Sequence, residues 1–207
     1  VNILLDTGAG IPILLYTNTH EELTLPEKTI TGKLGKGLGG FLEGYLGRIQ
    51  KAQIGEYQLN NVVASFQQLD SLGLIRAEQG ERNGLIGNQL LSRFEMYIDY
   101  PGSTLYLKKE KGFNEAFEYD RSGMTVLAVG PDLRDFIVNS IIEGSAADKA
   151  GVQRGDIIKR IRGIPTYFLT LTDISRMFQK KAGKKIKLTS DRNGEKIKKV
   201  IIIEDLF

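Results

Sequence analysis

The stretch Leu4-Leu5-Asp6-Thr7-Gly8-Ala9 decides how the first half of the chain is interpreted. Two apolar residues end a predicted strand and run directly into an aspartate, a small hydroxyl residue and a glycine, an order that delivers one carboxylate to a sharp turn. A lone aspartate of ordinary acidity activates water poorly. Two aspartates held together share one proton, because both cannot ionise, and so act as acid and base at once. Asp6 is therefore predicted to be half of a two-carboxylate site.

Composition excludes several classes of protein. With 207 residues, 26% of them charged and 41% hydrophobic, the chain has the make-up of an ordinary globular protein with one or two domains. The net charge of +3 is mild and the basic residues do not alternate with aromatic ones, so no nucleic-acid partner is expected. The chain has no cysteine and a single histidine, His20, which excludes disulfides, thiolate nucleophiles and histidine metal clusters. We expect no metal, no cofactor and no transmembrane segment.

The first half is predicted to be all-β. Short apolar runs at 1–5 and 11–16 flank the Asp-Thr-Gly turn, and the glycine-rich segment 31–47 is typical of a mobile hairpin. That segment lacks the Gly-Lys-Ser/Thr ending of a phosphate loop and does not open a helix, which argues against nucleotide binding. Farther along the chain, Leu85-Ile86-Gly87 is predicted to be part of a buried strand, and a short helix is predicted to follow it. Tyr and Phe residues within 94–106 alternate at strand spacing, which predicts that they belong to the core.

A change of composition predicts the domain boundary. Residues 109–120 are mostly polar and charged and have little to bury, so they are interpreted as a linker between a first domain, 1–108, and a second, 121–207. In the second domain the sequence predicts several strands and a short helix that Gly151 stops. A longer helix is predicted to begin at Thr170 with a capping box to Asp173.

The order of features in the first half resembles the retropepsin-like aspartic proteases. Asp-Thr-Gly follows an apolar strand, a glycine-rich hairpin comes about 30 residues later, and Leu85-Ile86-Gly87 comes about 80 residues later. The resemblance implies a mainly β fold, one retropepsin-like β-barrel half corresponding to one pepsin-like lobe. It implies that Asp6 is the catalytic carboxylate and that Thr7 bonds across to its counterpart in the second loop. It also implies that Gly8 lets the backbone come close to the carboxylates. The hairpin would be a flap over an extended substrate, with substrate-binding residues Gly37, Leu38, Gly39 and Gly40.

The family's site needs two aspartates, but the chain contains one Asp-Thr-Gly. The second must come from a symmetric partner chain, as in a homodimer, or from an upstream pseudo-symmetric half. Since the sequence begins at Val1 inside a predicted strand, without Met, we expect a natural upstream part. Whether the site is active therefore stays open at the level of sequence.

The second half resembles a bacterial, protease-associated PDZ domain, a β-sandwich with two helices. The resemblance rests on Ser145–Val152, Gly155-Asp156-Ile157-Ile158 and Gly163-Ile164-Pro165. It implies that a peptide, usually a C-terminus, adds a strand beside 124–129 and against the helix 171–179. The implied peptide-binding residues are Gly123, Met124, Thr125, Val126, Ile174 and Phe178. The loop before the strand should offer N–H groups to a carboxylate from an apolar-Gly-apolar turn, but its first position is the polar Ser122.

These features predict an aspartic-type endopeptidase that cleaves extended peptide or protein substrates with carboxylate-activated water and binds peptides through its PDZ domain. The alternative is a catalytically inactive, peptide-binding scaffold that uses the PDZ groove. Chains combining these two domains resemble exported bacterial proteins, which together with the lack of cysteine suggests the periplasm or the cell surface. The sequence identifies neither the substrate nor the PDZ ligand.

Overall fold

The computed structural model describes residues 1–37 and 40–207 and divides into two compact units. The first unit comprises residues 1–117 together with Phe207, and the second comprises residues 118–206. Both units are built mainly from β-strands, which confirms the fold class predicted from the sequence.

A six-stranded sheet forms the body of the first unit. Its strands are β1 (Ile3–Asp6), β2 (Ile13–Tyr16), β3 (Thr29–Gly37), β4 (Gly40–Ile54), β5 (Tyr57–Gln67) and β6 (Gly84–Gly87). They are hydrogen-bonded in the order β1-β6-β2-β5-β4-β3. The helices α1 (Ser71–Gln79) and α2 (Asn88–Leu91) lie before and after β6 in the chain, and β7 (Phe94–Asp99) pairs with β8 (Thr104–Lys109) in a separate sheet.

The central strands of this sheet are covered on both faces. Consecutive side chains in β2 and in β5 are buried, and because neighbours on a strand point to opposite faces, both faces must be packed. The fully or nearly fully buried apolar residues of these two strands are Ile13, Leu14, Leu15, Leu59, Val62, Val63, Ala64 and Phe66. The prediction that the aromatic residues of 94–106 form core is wrong for the tyrosines, because Tyr97, Tyr100 and Tyr106 are 68%, 81% and 56% exposed, whereas Phe94 is 5% exposed.

The segment 109–120, predicted as a linker, is divided between the two units. Residues up to Phe117 pack on the first unit, where the side chain of Arg93 donates hydrogen bonds to three backbone carbonyls within 113–116 and stacks 3.5 Å from the ring of Phe117. Phe113 and Phe117 are 6% and 2% exposed. A segment that is polar on average is therefore anchored by two aromatic rings and one guanidinium. The same residues help to wall a cavity of about 280 Å³, to which the Asp6 turn contributes no residue.

A five-stranded path forms the sheet of the second unit. The elements are β9 (Met124–Val129), β10 (Asp135–Ile141), α3 (Ala146–Lys149), β11 (Ile157–Ile161), β12 (Ile164–Pro165), α4 (Leu171–Phe178), β13 (Lys185–Arg192) and β14 (Glu195–Ile202). The strand order is β14-β13-β11-β10-β9, with β12 paired to β11, so β9 lies at one end. The predicted capping box at the start of α4 is present: Thr170 Oγ1 accepts from the Asp173 N–H, and Asp173 Oδ2 accepts from the Thr170 N–H.

Asp156 is fully buried and connects two parts of the second unit through hydrogen bonds. Arg192 donates to both of its oxygens, at 2.7 Å from Nε to Oδ1 and 2.9 Å from Nη2 to Oδ2, and the Gln153 N–H donates to Oδ2. Burial acts to raise the pKa of Asp156, but these hydrogen bonds outweigh it and leave the pKa below its ordinary value. Asp156 thus ties the turn before β11 to the end of β13.

Within 1–37 and 40–207, no helix is both long enough and apolar enough to cross a membrane.

Candidate functional site

Asp6 is the last residue of β1, and a tight turn holds its carboxylate. Oδ1 of Asp6 accepts hydrogen bonds from the Gly8 N–H at 2.9 Å and the Ala9 N–H at 3.2 Å. A Cβ atom on Gly8 would lie 3.3 Å from the same oxygen, which makes the smallest residue the best fit there. Thr7 and Gly8 are exposed and Asp6 is half-buried, so the turn presents its carboxylate at the protein surface.

The end of β6 fixes the position of this turn. β6 runs parallel to β1, with Leu85 opposite Leu4 and Gly87 opposite Asp6. Beyond the pairing, the Gly87 N–H donates to the Pro12 carbonyl at 3.0 Å and the Asn88 N–H to the Ala9 carbonyl at 2.7 Å. The predicted Leu85-Ile86-Gly87 strand therefore lies directly beside the Asp6 turn and is bonded to it.

Gly87 is required by the closeness of this packing. A Cβ atom at position 87 would lie 2.2 Å from the Ile11 carbonyl oxygen and 2.6 Å from that of Ala9. Both are backbone atoms, so no side-chain rotation relieves the clash. The geometry of the turn thus depends on a glycine about 80 residues away in the chain.

β1 is an open end strand. Leu4 and Leu5 are 40% and 39% exposed, and since they point to opposite faces of the strand, neither face of β1 is fully covered within the first unit. Val1, just before the strand, is 65% exposed. An apolar edge therefore runs alongside the carboxylate of Asp6.

The glycine-rich segment forms the predicted hairpin. β3 and β4 pair antiparallel from Thr29 opposite Gly47 to Gly37 opposite Gly40. Gly37 and Gly40 thus form the last residue pair of the hairpin. Leu38 and Gly39, the other two predicted flap residues, lie outside the described residues.

In the second unit, the predicted peptide groove lies between β9 and α4. Because β9 is an end strand that pairs only with β10 in the sheet order, one of its edges faces the groove. Thr125 and Val126 on β9 are partly exposed, as are Ala128 on the same strand and Met177 on α4. Val126, Ala128 and Met177 also pack against the core, so they make an apolar floor for an added strand.

Three of the predicted peptide-binding side chains are core residues. Met124, Ile174 and Phe178 are 5%, 1% and 0% exposed and belong to the hydrophobic cluster of the unit. The PDZ resemblance implies that Ile174 and Phe178 line the groove, but they lie on the face of α4 that packs inward. Leu171, 39% exposed, and Met177 are the apolar residues of α4 that remain accessible, and a helical-wheel comparison of the two faces would have indicated them.

The loop before β9 contains a carboxylate that sequence reasoning missed. Oδ1 of Asp120 accepts hydrogen bonds from the Ser122 N–H at 2.7 Å and from the Ser122 hydroxyl. Ser122 Oγ in turn accepts from the Met124 N–H at 3.2 Å. Gly123, with φ of 73°, turns the chain so closely past Ser145 that a Cβ atom would lie 2.2 Å from the Ser145 Cβ. Burial raises the pKa of the Asp120 carboxyl to about 6, against the effect of the Ser122 hydrogen bonds.

Arg121, the neighbouring cation, is 8% exposed and engaged elsewhere in the unit. Its Nε donates to Asp205 at 2.8 Å and its Nη1 to Glu118 at 2.6 Å. Nη1 also donates to the Gln179 carbonyl just past α4, and the Arg121 N–H donates to the Phe178 carbonyl. Arg121 therefore serves as a cap for the C-terminal end of α4, where a cation is favoured.

Comparison with known families agrees with the two-domain reading of the sequence. A model of the aspartyl protease family matches residues 1–90, and a PDZ domain model matches residues 137–192. The family models thus find an aspartyl protease domain in the N-terminal part of the chain and a PDZ domain after it, in the order that the sequence predicts. Comparison with curated proteins finds no match.

Several solved protease structures are similar at a low level. The photosystem II D1 C-terminal processing protease is 22% identical with a TM-score of 0.39, over 42% of this chain and 23% of that one. The serine endoprotease from Yersinia pestis is 14% identical with a TM-score of 0.41, over 95% and 67%. The HtrA-type protease AlgW with a decapeptide is 12% identical with a TM-score of 0.35, over 97% and 63%. The chain thus spans from 23% to 67% of their lengths, and the similarities carry no argument about its mechanism.

Among the residues that the structure describes, no group of three or more His, Cys, Asp or Glu side chains is arranged to hold a metal ion.

Proposed function

We propose that the protein is an aspartic-type endopeptidase that acts on extended peptide or protein substrates, and that its PDZ domain binds peptides. The observation that carries this proposal is the Asp6 turn, in which two backbone N–H groups orient one carboxylate at the end of an open strand. The match of residues 1–90 to the aspartyl protease family supports the same assignment.

The proposed reaction uses two carboxylates that share one proton. The ionised partner takes a proton from a water molecule, which attacks the scissile carbonyl carbon, while the protonated partner gives its proton to the carbonyl oxygen. The product of this step is a non-covalent tetrahedral intermediate, which breaks down as the amine leaves with a proton. Asp6 supplies one carboxylate, and Thr7 and Gly8 shape the turn that carries it.

The second carboxylate comes, in this proposal, from a second Asp-Thr-Gly turn, in a partner copy of the chain or in another segment of the protein. The open β1 strand supports such an arrangement, because Leu4 and Leu5 offer apolar surface beside Asp6 for a matching half to cover. The β3–β4 hairpin would close over the bound substrate and exclude water from the site.

The replacement Asp6→Asn tests the proposal. Cleavage of a pool of quenched fluorescent peptides, measured between pH 3 and 7.5, is expected to fall by about three orders of magnitude or more, because Asn neither accepts nor releases the shared proton. Unchanged cleavage would overturn the assignment of Asp6.

A matched control is Asp70→Asn. Asp70 is exposed and caps α1 by accepting from the Gly73 N–H at 2.7 Å, and Asn caps helices about as well as Asp. This variant should keep full activity. A comparable loss in both variants would point to general damage and not to chemistry at Asp6.

The alternative function is a peptide-binding scaffold without catalysis. The single Asp-Thr-Gly of the sequence favours it, since one carboxylate does not complete the site. Analytical ultracentrifugation combined with the cleavage assay separates the two functions. A monomer that cleaves nothing across the pH range would favour the scaffold, whereas activity that rises with the fraction of dimer would favour the peptidase.

A further inference from the structure

The loop that precedes β9 has few unpaired N–H donors for a free C-terminal carboxylate. A terminal carboxylate would need the N–H groups of Ser122, Gly123 and Met124, which lead into the end strand of the sheet. Two of these three donors already have partners inside the loop. The Ser122 N–H donates to Asp120 at 2.7 Å, and the Met124 N–H donates to Ser122 Oγ at 3.2 Å. The loop thus carries a carboxylate of its own in place of a ligand's.

Charge in this loop opposes a second carboxylate. Asp120 lies within hydrogen-bond distance of Ser122, so a ligand carboxylate on the same donors would lie close to another negative charge in a partly desolvated place. The nearest cation in sequence, Arg121, is paired with Asp205 and Glu118, which offsets its charge. Capture of a free C-terminus would therefore require both displacing Asp120 and neutralising it.

The strand edge itself remains suited to a peptide. β9 presents an edge of main-chain groups beside α4, and partly exposed apolar side chains of β9 and α4 flank it. Main-chain pairing along such an edge needs an extended segment but no terminus. A chain that continues past the loop brings a neutral peptide bond, and no carboxylate, up to Asp120.

We propose that the β9–α4 groove binds extended internal segments of protein chains, and that Asp120 excludes free C-terminal carboxylates from it. This inference rests on the peptide-binding role given to the PDZ domain in the proposed function. The pKa of about 6 for Asp120 means that the carboxyl is mostly ionised at pH 7.5, where the exclusion is to be measured.

The test compares two pools of random decapeptides that differ only at the C-terminus, one ending in a free carboxylate and the other in a carboxamide. Binding to the full chain is measured in the Asp6→Asn background, so that the peptides are not cleaved, first by enrichment and then by fluorescence anisotropy of matched pairs. At pH 7.5 we expect the carboxamides to bind about threefold to tenfold more tightly than the matched acids.

Two variants of the loop test whether Asp120 causes the preference for carboxamides over free acids. Asp120→Asn removes the charge but keeps an acceptor for the Ser122 N–H, and Ser122→Ala frees the Met124 N–H. Both are expected to shift the ratio of the two affinities towards the free acids, by about tenfold for Asp120→Asn. Met177→Glu, in the apolar floor of the groove, should abolish binding of both pools and so assign the peptides to this site.

Each other outcome counts against a particular claim. Free acids that bind tenfold more tightly with Asp120 intact, or a ratio that Asp120→Asn leaves unchanged, would overturn the role given to Asp120. Binding of neither pool would overturn the peptide-binding role of the PDZ domain. The cleavage assay with Asp6 would then still decide the peptidase separately.

Discussion

The end strands of the two units, β1 and β9, differ in how well they bury their apolar side chains. In the second unit Met124 of β9 is 5% exposed, and Val126 and Ala128 of the same strand pack against the core. In the first unit the end strand β1 leaves Leu4 and Leu5 about 40% exposed, on the strand that carries Asp6. A domain that only binds peptides needs no more than an open strand edge, whereas a two-carboxylate site must meet its other half across an apolar surface. The difference in burial therefore follows the difference in proposed role.

The largest expected loss of stability is in the core of the second unit. Phe178→Ala removes a ring that is 0% exposed and should destabilise the second unit by about 3–5 kcal/mol. Leu4→Ala, in the end strand β1 of the first unit, should cost about 1 kcal/mol or less, since Leu4 is already 40% exposed. Hydrogen–deuterium exchange resolved by peptide reports the stability of each unit separately. A loss for Leu4→Ala as large as that for Phe178→Ala would mean that β1 is covered in solution, and the contrast between the units would fail.

A second prediction concerns the close packing around Gly87 in the first unit. Gly87→Ala places a Cβ atom 2.2 Å from the Ile11 carbonyl oxygen, so the Asp6 turn and β6 must move apart. We expect a destabilisation of about 1–3 kcal/mol and loss of most proteolytic activity, measured by urea unfolding and peptide cleavage. The control is Gly10→Ala, where the added atom meets nothing within 4 Å. Equal behaviour of the two variants would show that the turn does not depend on β6.

The smallest effect is a pH dependence confined to the second unit. Asp120 has its pKa raised to about 6 in the folded protein from 3.8, so the folded state takes up the proton first as the pH falls. Stability from this group therefore increases as the pH drops from about 7 to about 4, by about 1–2 kcal/mol. Asp120→Asn should remove that increase, which urea unfolding of both proteins at pH 7 and pH 5 measures. A second unit whose stability has the same pH profile in both proteins would contradict the burial of this carboxyl.

The sequence predicts those features whose signals are local. Asp-Thr-Gly after an apolar run and the Thr170 to Asp173 capping box each depend on neighbours a few residues away, and both are found as predicted. The helix α1 is not predicted, because Gly73 lowers its helix propensity and its apolar residues do not share one face: Leu72 and Ile75 are exposed, whereas Ala77 is buried.

The features that the sequence does not predict depend on distant partners. Phe113 and Phe117 stand in a polar segment that joins the first unit through residues distant in the chain. Arg93 donates to carbonyls of the segment, and the Phe113 ring packs against the rings of Tyr57 and Phe94. Asp120 looks like one more charged residue of a linker, because the burial that raises its pKa comes from the folded unit around it and not from its near neighbour Ser122. Helical periodicity predicts that Ile174 and Phe178 share one face of α4, but periodicity alone does not say whether the core or a ligand lies against that face.

The parallel pairing of β1 with β6 also has a consequence for synthesis. Asp6 leaves the ribosome about 80 residues before Gly87, and the hydrogen bonds that position its turn wait for Gly87 and Asn88. Closing so long a loop comes late in folding, because its entropic cost is met only when many contacts form together. A nascent or unfolded chain thus has an unpositioned carboxylate beside its own exposed peptide bonds. If the peptidase proposal is correct, the fold delays the assembly of a protein-cleaving site until the first unit has closed around it.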